Sequence, residues 1–394
     1  MFPRPLRPAE TGNGKERVLI FAAILAFFIY GTIAAMLGTI LPDLSDRFHL
    51  SPSQNGSIAF AQALGLVLAS LGVGPLLDNE GNKAGLLLGL ALISIALFAL
   101  PRSLGFRSIL FLLFLLGLGG GTVVTAANAL VSDVSETHRA AALNMTNLFF
   151  GVGALATPFV AANLFRRNWV RLCYIIASLT VITLLIHALI KMPAPTGARR
   201  FVLADAIPVL GRPSLLLIGL FLFLYITCEV GMWNWLPRHL IAQGIPESRA
   251  LNILSLGFGL GLLIGRALIL PILSHVPAVT VTLAGSVAMA VTTFLTLRTA
   301  RPGLAAALVF LAGLAMAPVF PTTLAIVGDA FPRMTGTAIG FVITCGWTGL
   351  AVSSRIIGAI AGGDPTRLKK ALLVIPASAV LMVGLDLAIR SALG

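Results

Sequence analysis

Twelve stretches of about 20 apolar residues follow one another along this chain of 394 residues. A helix needs roughly 20 apolar residues to cross the hydrocarbon core of a bilayer. Since lipid offers backbone groups no partner, each stretch predicts a membrane-spanning helix. The alternating pattern of a membrane β-barrel is missing. The predicted fold is therefore an all-α membrane protein whose spans cover 18–41, 54–77, 84–100, 108–130, 140–163, 170–190, 214–239, 250–273, 277–297, 303–327, 335–360 and 370–390.

The composition agrees with a membrane protein and excludes other classes. Hydrophobic residues make up 58% of the chain and charged residues 10%, whereas soluble domains carry about 25% charged residues. The net charge of +13 comes from Lys and Arg scattered between apolar runs, as expected at membrane flanks. A nucleic-acid partner would need basic residues clustered on one soluble face. The sequence therefore predicts a multi-pass integral membrane protein whose surroundings are lipid.

The longest polar connection divides the predicted spans into two groups of six. In each half a basic turn precedes a glycine-rich span: Arg139 precedes Gly151 and Gly153, and Arg333 precedes Gly340 and Gly346. Such repetition predicts two pseudo-symmetric six-helix bundles. The predicted units are a tail over 1–17, a first bundle over 18–190, a linker over 191–213 and a second bundle over 214–394.

The loop after the second span resembles a family signature. Gly74–Lys83 reads G-P-L-L-D-N-E-G-N-K, similar to the cytoplasmic loop motif G-x-x-x-D-R-x-G-R-K of the major facilitator superfamily. Asp78 is placed to cap a neighbouring helix end, and Gly74 allows close helix packing. Asn79 and Asn82 replace both motif arginines, which weakens the charge lock. The resemblance implies two cytoplasmic termini and, as the expected location, a bacterial inner membrane.

Further segments resemble the fucose permease branch, which contains sugar symporters coupled to H⁺ or Na⁺. They are Gly117–Gly121, Thr125–Asn128, Leu143–Asn147, Tyr225–Gly231 with Trp235, and Ala317–Thr323. The acidic residues that fucose permease carries in its first and fourth spans correspond to Gly38 and Val124 here. That branch's proton-coupling pair is therefore not carried over.

Of the 14 acidic residues, Glu229 is the one deep inside a predicted span. Because an ionised carboxylate there costs about 2.5–3.5 kcal/mol, such residues usually face a cavity or a partner. Glu229 is therefore predicted to bind a cation or substrate hydroxyls, and the alternative is a structural salt bridge to Arg355. For Arg266 we favour a structural contact with Asp329 over a role in substrate binding. An anionic substrate would make Arg266 or Arg355 its counter-charge.

Polar residues in the fourth and fifth spans are candidates for substrate binding. Thr125 and Asn128, and likewise Asn144 and Asn147, are three residues apart and share a helix face. Their amides suit a neutral polyhydroxyl ligand, and the alternative is bonding between helices. The other substrate candidates are Tyr30, Glu229, Trp233, Asn234, Thr322 and Trp347. The structural or gating candidates are Gly74, Asp78, Lys83, Arg139, Arg266, Arg333 and Arg355. Asp386 and Arg390, spaced i,i+4, are predicted to pair with each other.

The sequence thus predicts a transporter and not an enzyme. The five histidines are isolated, and no metal or cofactor motif is found. We expect a monomer that moves a small polar solute, most simply a monosaccharide, by alternating access and with H⁺ or Na⁺ coupled through Glu229. Two alternatives are a sugar uniporter without ion coupling and an exporter of amphiphilic drugs or lipids.

Overall fold

Twelve helices long and apolar enough to cross a membrane are found in the computed structural model, as predicted. It describes residues 10–164, 168–193, 208–299, 301–361 and 365–393, and within these ranges there is no strand. Of the predicted tail, 1–9 lie outside them and 10–17 already belong to the first helix; of the predicted linker, 194–207 lie outside them. Ten spans are each built on one long helix: α1 Glu10–Phe48, α2 Pro52–Glu80, α3 Asn82–Ala99, α4 Phe106–Val134, α5 Arg139–Asn163, α6 Trp169–Leu189, α7 Pro213–Ala242, α9 Ala278–Arg298, α11 Thr335–Ala361 and α12 Val374–Leu393, which a short helix, Pro365–Ala371, precedes.

The other two spans, α8 and α10, are interrupted. The α8 span has α-helical segments Glu247–Asn252, Leu260–Leu268 and Leu270–Leu273, with a π-helical segment at Ile253–Gly259 after the first. The α10 span consists of Pro302–Met316 and Val319–Ala330. Its break falls at Pro318, because proline lacks the N–H that continues a helix. Both interruptions lie in the second half of the chain.

Glycines bring the same helix pairs together in both halves. A methyl group on Gly153 of α5 would overlap the carbonyl oxygen of Phe28 in α1. In the second half, a methyl group on Gly349 of α11 would overlap the carbonyl oxygen of Phe223 in α7. Small residues permit such close backbone approach between membrane helices. The α1–α5 pair thus has its counterpart in the α7–α11 pair.

A second helix pair repeats in the same way. Gly117 of α4 lies against the Gln62 carbonyl of α2, and Gly313 of α10 lies against the Phe258 carbonyl of α8. In each case any side chain larger than hydrogen would collide with backbone. The two six-helix bundles are therefore built on equivalent contacts, as a repeated unit requires.

The halves meet at one end of the molecule, which we call the linker face. It is the end at which α6 finishes and α7 begins, and at which α2, α4 and α10 also finish. The side-chain bonds between halves that involve Asp78, Arg139 and Asn144 lie toward this end. The described molecule is therefore closed at the linker face.

Candidate functional site

Glu229 lies in the middle of α7 and faces the interior of the bundle. Its hydrogen-bonding neighbours are Tyr225, one turn earlier, and Trp233, one turn later, and the Arg266 guanidinium is its nearby positive charge. The side chain nevertheless keeps some accessible surface. Glu229 is therefore half-buried, with surface left that solvent or a solute can contact.

Arg266 joins α8 to both halves of the molecule. Its Nη1 donates to the Asn147 carbonyl oxygen of α5 at 2.9 Å, and its Nε lies 3.5 Å from the Ala317 carbonyl oxygen. The side chain is 5% exposed. The predicted tie from Arg266 to Asp329 is wrong, because Asp329 pairs with Arg139 instead.

The break in α10 explains one of these bonds. Pro321 has no N–H to offer the Ala317 carbonyl, and the Nε of Arg266 approaches that oxygen instead. The Tyr225 hydroxyl donates to the neighbouring Met316 carbonyl at 3.1 Å. In lipid, carbonyls left unpaired at a helix break must find such partners. Two neighbours of Glu229 therefore also stabilise the interrupted helix.

Aromatic side chains surround this carboxylate. Trp233 packs edge-on against Phe258 of the π-helical segment, with ring centroids 5.2 Å apart. Tyr30 of α1 is within electrostatic range of Glu229, and its ring lies 5.2 Å from that of Phe150. Asn234, by contrast, is exposed. Of these sequence candidates, Tyr30 and Trp233 join Glu229.

Trp347 of α11 carries a hydrogen-bond donor without an acceptor. Its indole N–H is buried and has no partner in the structure, although the ring is only half-buried. Seven residues separate it from Gly340, so both lie on nearly the same face of α11. Gly340 faces the first half of the molecule, at Ser70 and Thr125. The Trp347 ring therefore points toward the junction of the halves.

The predicted asparagines use their amide groups in hydrogen bonds within their own helices and between helices. Asn128 donates to the Val124 carbonyl at 2.7 Å, and Asn147 donates to the Leu143 carbonyl at 2.9 Å and to the Asn128 side-chain oxygen at 3.4 Å. Asn144 donates to Thr322 of α10 at 3.0 Å. In this conformation these amides bond helices together, which was the alternative interpretation. Their role in substrate binding stays a prediction for a conformation in which the halves separate.

Several polar atoms at the closed junction have no partner. They are the hydroxyls of Ser70, Thr125 and Ser132 and the side-chain oxygen of Asn144, all in the first half and all buried. Thr125 and Ser70 lie against Gly340, and Ser132 lies against Gly328 of α10. Leaving a buried polar group unpaired costs about 1–3 kcal/mol. The closed junction thus contains unfavourable contacts beside its favourable ones.

Asp78 caps the beginning of α11 from across the junction. Its carboxylate accepts the backbone N–H groups of Gly336 at 3.0 Å and Thr337 at 2.9 Å, and also the Thr337 hydroxyl. A methyl group on Gly74 would lie 2.7 Å from the Thr337 Cα atom. A carboxylate at a helix N-terminus is stabilised by the unpaired N–H groups and the helix dipole. This contact closes the linker face.

Two further contacts cross the linker face in a symmetric manner. Asp133, at the end of α4, accepts a bond from Asn82 at 2.8 Å and has Thr335, the first residue of α11, as a neighbour. Asp329, near the end of α10, pairs with Arg139, the first residue of α5. Each half therefore presents an aspartate to the start of the other half's fifth helix.

The remaining charged candidates do not join the halves. Lys83 donates to the carbonyls of Ala188 and Ile190 at the end of α6, within the first half. Arg333 is exposed in the turn before α11. The side chain of Arg355 lies outside the described part of the chain, as does its predicted salt bridge to Glu229.

The predicted Asp386–Arg390 pair is wrong. Asp386 accepts from the Thr282 hydroxyl at 3.0 Å, and Arg390 donates to the Val279 carbonyl at 3.2 Å and the Thr280 hydroxyl at 3.1 Å. Both side chains bond to the neighbouring helix α9, whose first turn presents the Thr280 and Thr282 hydroxyls and the Val279 carbonyl to α12.

Sequence reasoning missed the crossed aspartates and the role of Tyr225. The aspartates had a detectable signal: Val131-Ser132-Asp133 ends α4, and Val327-Gly328-Asp329 stands at the corresponding place in α10. Comparing the halves would have shown the repetition. Tyr225 had no such signal, since its acceptor depends on the α10 break.

Solved structures share this architecture. The transporter FucP in its outward conformation superimposes with a TM-score of 0.84 at 18% identity, over 95% of this chain and 99% of that one. The human organic anion transporter MFSD10 gives 0.77 at 16% identity, over 96% and 99%. At identities this low, these superpositions establish a common fold and no more.

Curated relatives are equally distant. The glucose/mannose transporter GlcP of Bacillus subtilis is 24% identical over 92% of both chains. The 4-hydroxybenzoate transporter PcaK of Pseudomonas aeruginosa is 28% identical over 44% of this chain, which covers 39% of PcaK. The family model of the Major Facilitator Superfamily matches residues 23–354. Twelve membrane helices, two equivalent halves and this match agree: the chain belongs to the major facilitator superfamily of transporters.

Proposed function

We propose that this transporter moves a small neutral polar solute, a monosaccharide, together with protons coupled through Glu229. One observation carries the proposal: in the described central region the charged side chains are one carboxylate, Glu229, and one guanidinium, Arg266, held near each other. Charged side chains inside membranes are costly and mark transport pathways.

The charge balance favours an uncharged substrate. While Glu229 is ionised, its charge and that of Arg266 cancel, and the site attracts neither anions nor cations by net charge. Tyr30 and Trp233 near Glu229 offer rings and single hydrogen-bond donors, and Trp347 of α11 adds an unpaired indole N–H. An amphipathic sugar ring suits such groups, since its faces are apolar and its rim is hydroxylated.

A proton suits Glu229 better than a sodium ion. Hard cations are bound by cages of several oxygen atoms, whereas the neighbours of Glu229 are a phenol, an indole and a guanidinium. The guanidinium also repels a metal cation. A single carboxylate that keeps accessible surface needs no such cage to accept a proton.

The sidedness follows from the loop after α2. With the linker face in the cytoplasm, as the signature-like segment Gly74–Lys83 suggests, the described conformation opens toward the outside. Substrate and proton enter there, and rocking of the halves about the central site delivers them to the cytoplasm. FucP in its outward conformation supports this assignment.

Uptake into proteoliposomes tests the proposal. We expect one or more labelled monosaccharides to accumulate above equilibrium when the outside is more acidic, and a sodium gradient at equal pH to have no effect. Uptake that only reaches equilibrium would instead indicate a uniporter. Thermal stabilisation by amphiphiles and by no sugar would indicate the exporter.

The indole N–H of Trp347 gives a prediction about affinity. Trp347→Phe keeps an aromatic ring but removes the unpaired donor, and a net hydrogen bond is worth about 0.5–1.5 kcal/mol. We expect sugar affinity to fall roughly 3- to 10-fold, measured by ligand-induced shift of the melting temperature. Trp235→Phe is the matched control, because the Trp235 indole N–H is also buried and unpaired but its ring faces Gly358 near the end of α11. An equal loss in both variants would contradict the assignment.

A further inference from the structure

We propose that Arg266 transmits the charge of Glu229 to the contact between the two halves. The inference deepens the proposed function and rests on proton binding at Glu229. Arg266 is a positioning residue here: it acts on the closure of the linker face.

The geometry gives Arg266 two competing sets of partners. It holds the Asn147 carbonyl of the first half at 2.9 Å and approaches the Ala317 carbonyl of the second. Glu229 is nearby, yet among the described residues it forms no ion pair with Arg266. The ion pair with nitrogen and oxygen within 4 Å in the described part of the chain is Arg139–Asp329. In this conformation the guanidinium is therefore bonded across the junction and not to the carboxylate.

Protonation of Glu229 changes this competition. When Glu229 is neutral, carbonyl oxygens are the described acceptors left to a buried cation, and its bond to Asn147 is at its strongest. When Glu229 is ionised, it attracts the guanidinium toward α7 in a region of low dielectric constant. Arg266 then releases Asn147 more easily, and the halves separate at the linker face at lower cost.

This arrangement couples the proton to the solute. A protonated carrier without solute keeps the Arg266–Asn147 bond and stays closed at the linker face, which prevents a proton leak. An empty carrier with ionised Glu229 lacks this restraint and can return. The bound solute supplies the free energy that opens the protonated carrier, because ligands shift equilibria by their differential affinity.

Other titratable groups must be separated from Glu229 in any test. Tyr225 and Cys228 lie on the same helix as Glu229, Tyr30 approaches from α1 and Arg266 approaches from α8. From α12 the uncharged Ile375 carbonyl accepts a bond from Cys228. From α11, Cys345 lies nearer the start of α7. The linker face itself carries the carboxylates of Asp78, Asp133 and Asp329, so a Glu229→Gln control is required.

Spin-label distances across the linker face provide the experiment. Labels are placed at Glu80→Cys on α2 and Arg333→Cys before α11, both exposed positions, after Cys173, Cys228 and Cys345 have been replaced. The full-length protein is measured in lipid nanodiscs between acidic and alkaline pH. The parent should lose closed population as pH rises, and Glu229→Gln should stay closed at every pH.

In Arg266→Gln the closed population should be smaller than in the parent and should no longer change with pH. In Arg266→Lys the closed population should keep part of its pH dependence. An Arg266→Gln protein with the parent's pH response would overturn the relay and leave proton binding at Glu229 intact. A pH response as large in Glu229→Gln as in the parent, or no response in the parent, would overturn the proposed coupling as well.

A double variant covers the case in which Arg266→Gln leaves Glu229 uncompensated and does not fold. Glu229→Gln with Arg266→Gln removes both charges, which is usually tolerated far better than removing one. Relative to Glu229→Gln alone, we expect the ratio of closed to open protein to fall about tenfold, as for loss of a bond to a charged group. An unchanged ratio would exclude Arg266 as a restraint on opening.

Discussion

Glu229→Gln is expected to abolish accumulation of solute against its gradient while leaving exchange of solute across the membrane intact. Glutamine keeps the shape and polarity of the side chain but cannot carry a proton between the two sides. A gradient of one pH unit is worth about 1.4 kcal/mol, which supports roughly tenfold accumulation with one proton per solute. In proteoliposomes with an acidic exterior, the ratio of internal to external solute should fall from this value to about 1.

Thr227→Val serves as the matched control for this experiment. Thr227 is a buried residue of the same helix, and its hydroxyl donates to the Phe223 carbonyl of its own helix at 2.9 Å. Its replacement should leave accumulation close to that of the parent. If Glu229→Gln accumulates solute as well as the parent does, Glu229 is not the coupling residue.

Asp78→Ala should produce the second large effect, a loss of closure at the linker face. The Asp78 carboxylate accepts two backbone N–H groups and one hydroxyl from the start of α11, and a bond to a charged group contributes about 1.5–3 kcal/mol. Removing all three should lower the closed population by at least roughly tenfold. Spin-label distances between Glu80→Cys and Arg333→Cys should lengthen, and the uptake rate should fall accordingly.

Lys83→Ala tests whether this effect is specific to contacts between the halves. Lys83 belongs to the same signature-like segment, but its bonds to Ala188 and Ile190 stay inside the first half. It should therefore change the distances little, even if it destabilises the fold. Equal lengthening in both variants would show that the segment acts through general stability and not through the cap on α11.

The fold was predictable because its main determinant is local. A membrane span is recognised from about 20 consecutive apolar residues, and the structure contains all twelve predicted spans. The break in α10 was equally readable, because Pro318 and Pro321 cannot donate backbone bonds. The π-helical segment of α8 was not, since nothing in Ile253–Gly259 distinguishes it from an ordinary glycine-rich helix.

Partners of charged residues were predicted poorly. Spacing along one helix identifies which residues share a face, but not which neighbouring helix supplies the acceptors. Asp386 and Arg390 have ideal spacing for a pair, yet both bond to α9. Arg266 likewise finds carbonyl oxygens that only the packing of α5 and the break in α10 bring to it.

The site was predictable in part. Glu229 stood out because a carboxylate in a membrane span is costly and therefore rare. The amides of Asn128, Asn144 and Asn147 were recognised as a polar cluster, but the sequence does not encode which conformation is occupied. The same side chains bond helices in the closed junction and become accessible only when it opens.

The unpaired atoms at the closed junction bear on the energy difference between the conformations. The hydroxyls of Ser70, Thr125 and Ser132 have no protein partner at the closed junction, and leaving a buried polar group unpaired costs about 1–3 kcal/mol. This cost opposes what Asp78 and Arg139 contribute to closure. Two conformations balanced in this way can be interconverted by the few kcal/mol that one small solute releases on binding. A junction with every polar group satisfied would hold more firmly, and the carrier would turn over more slowly.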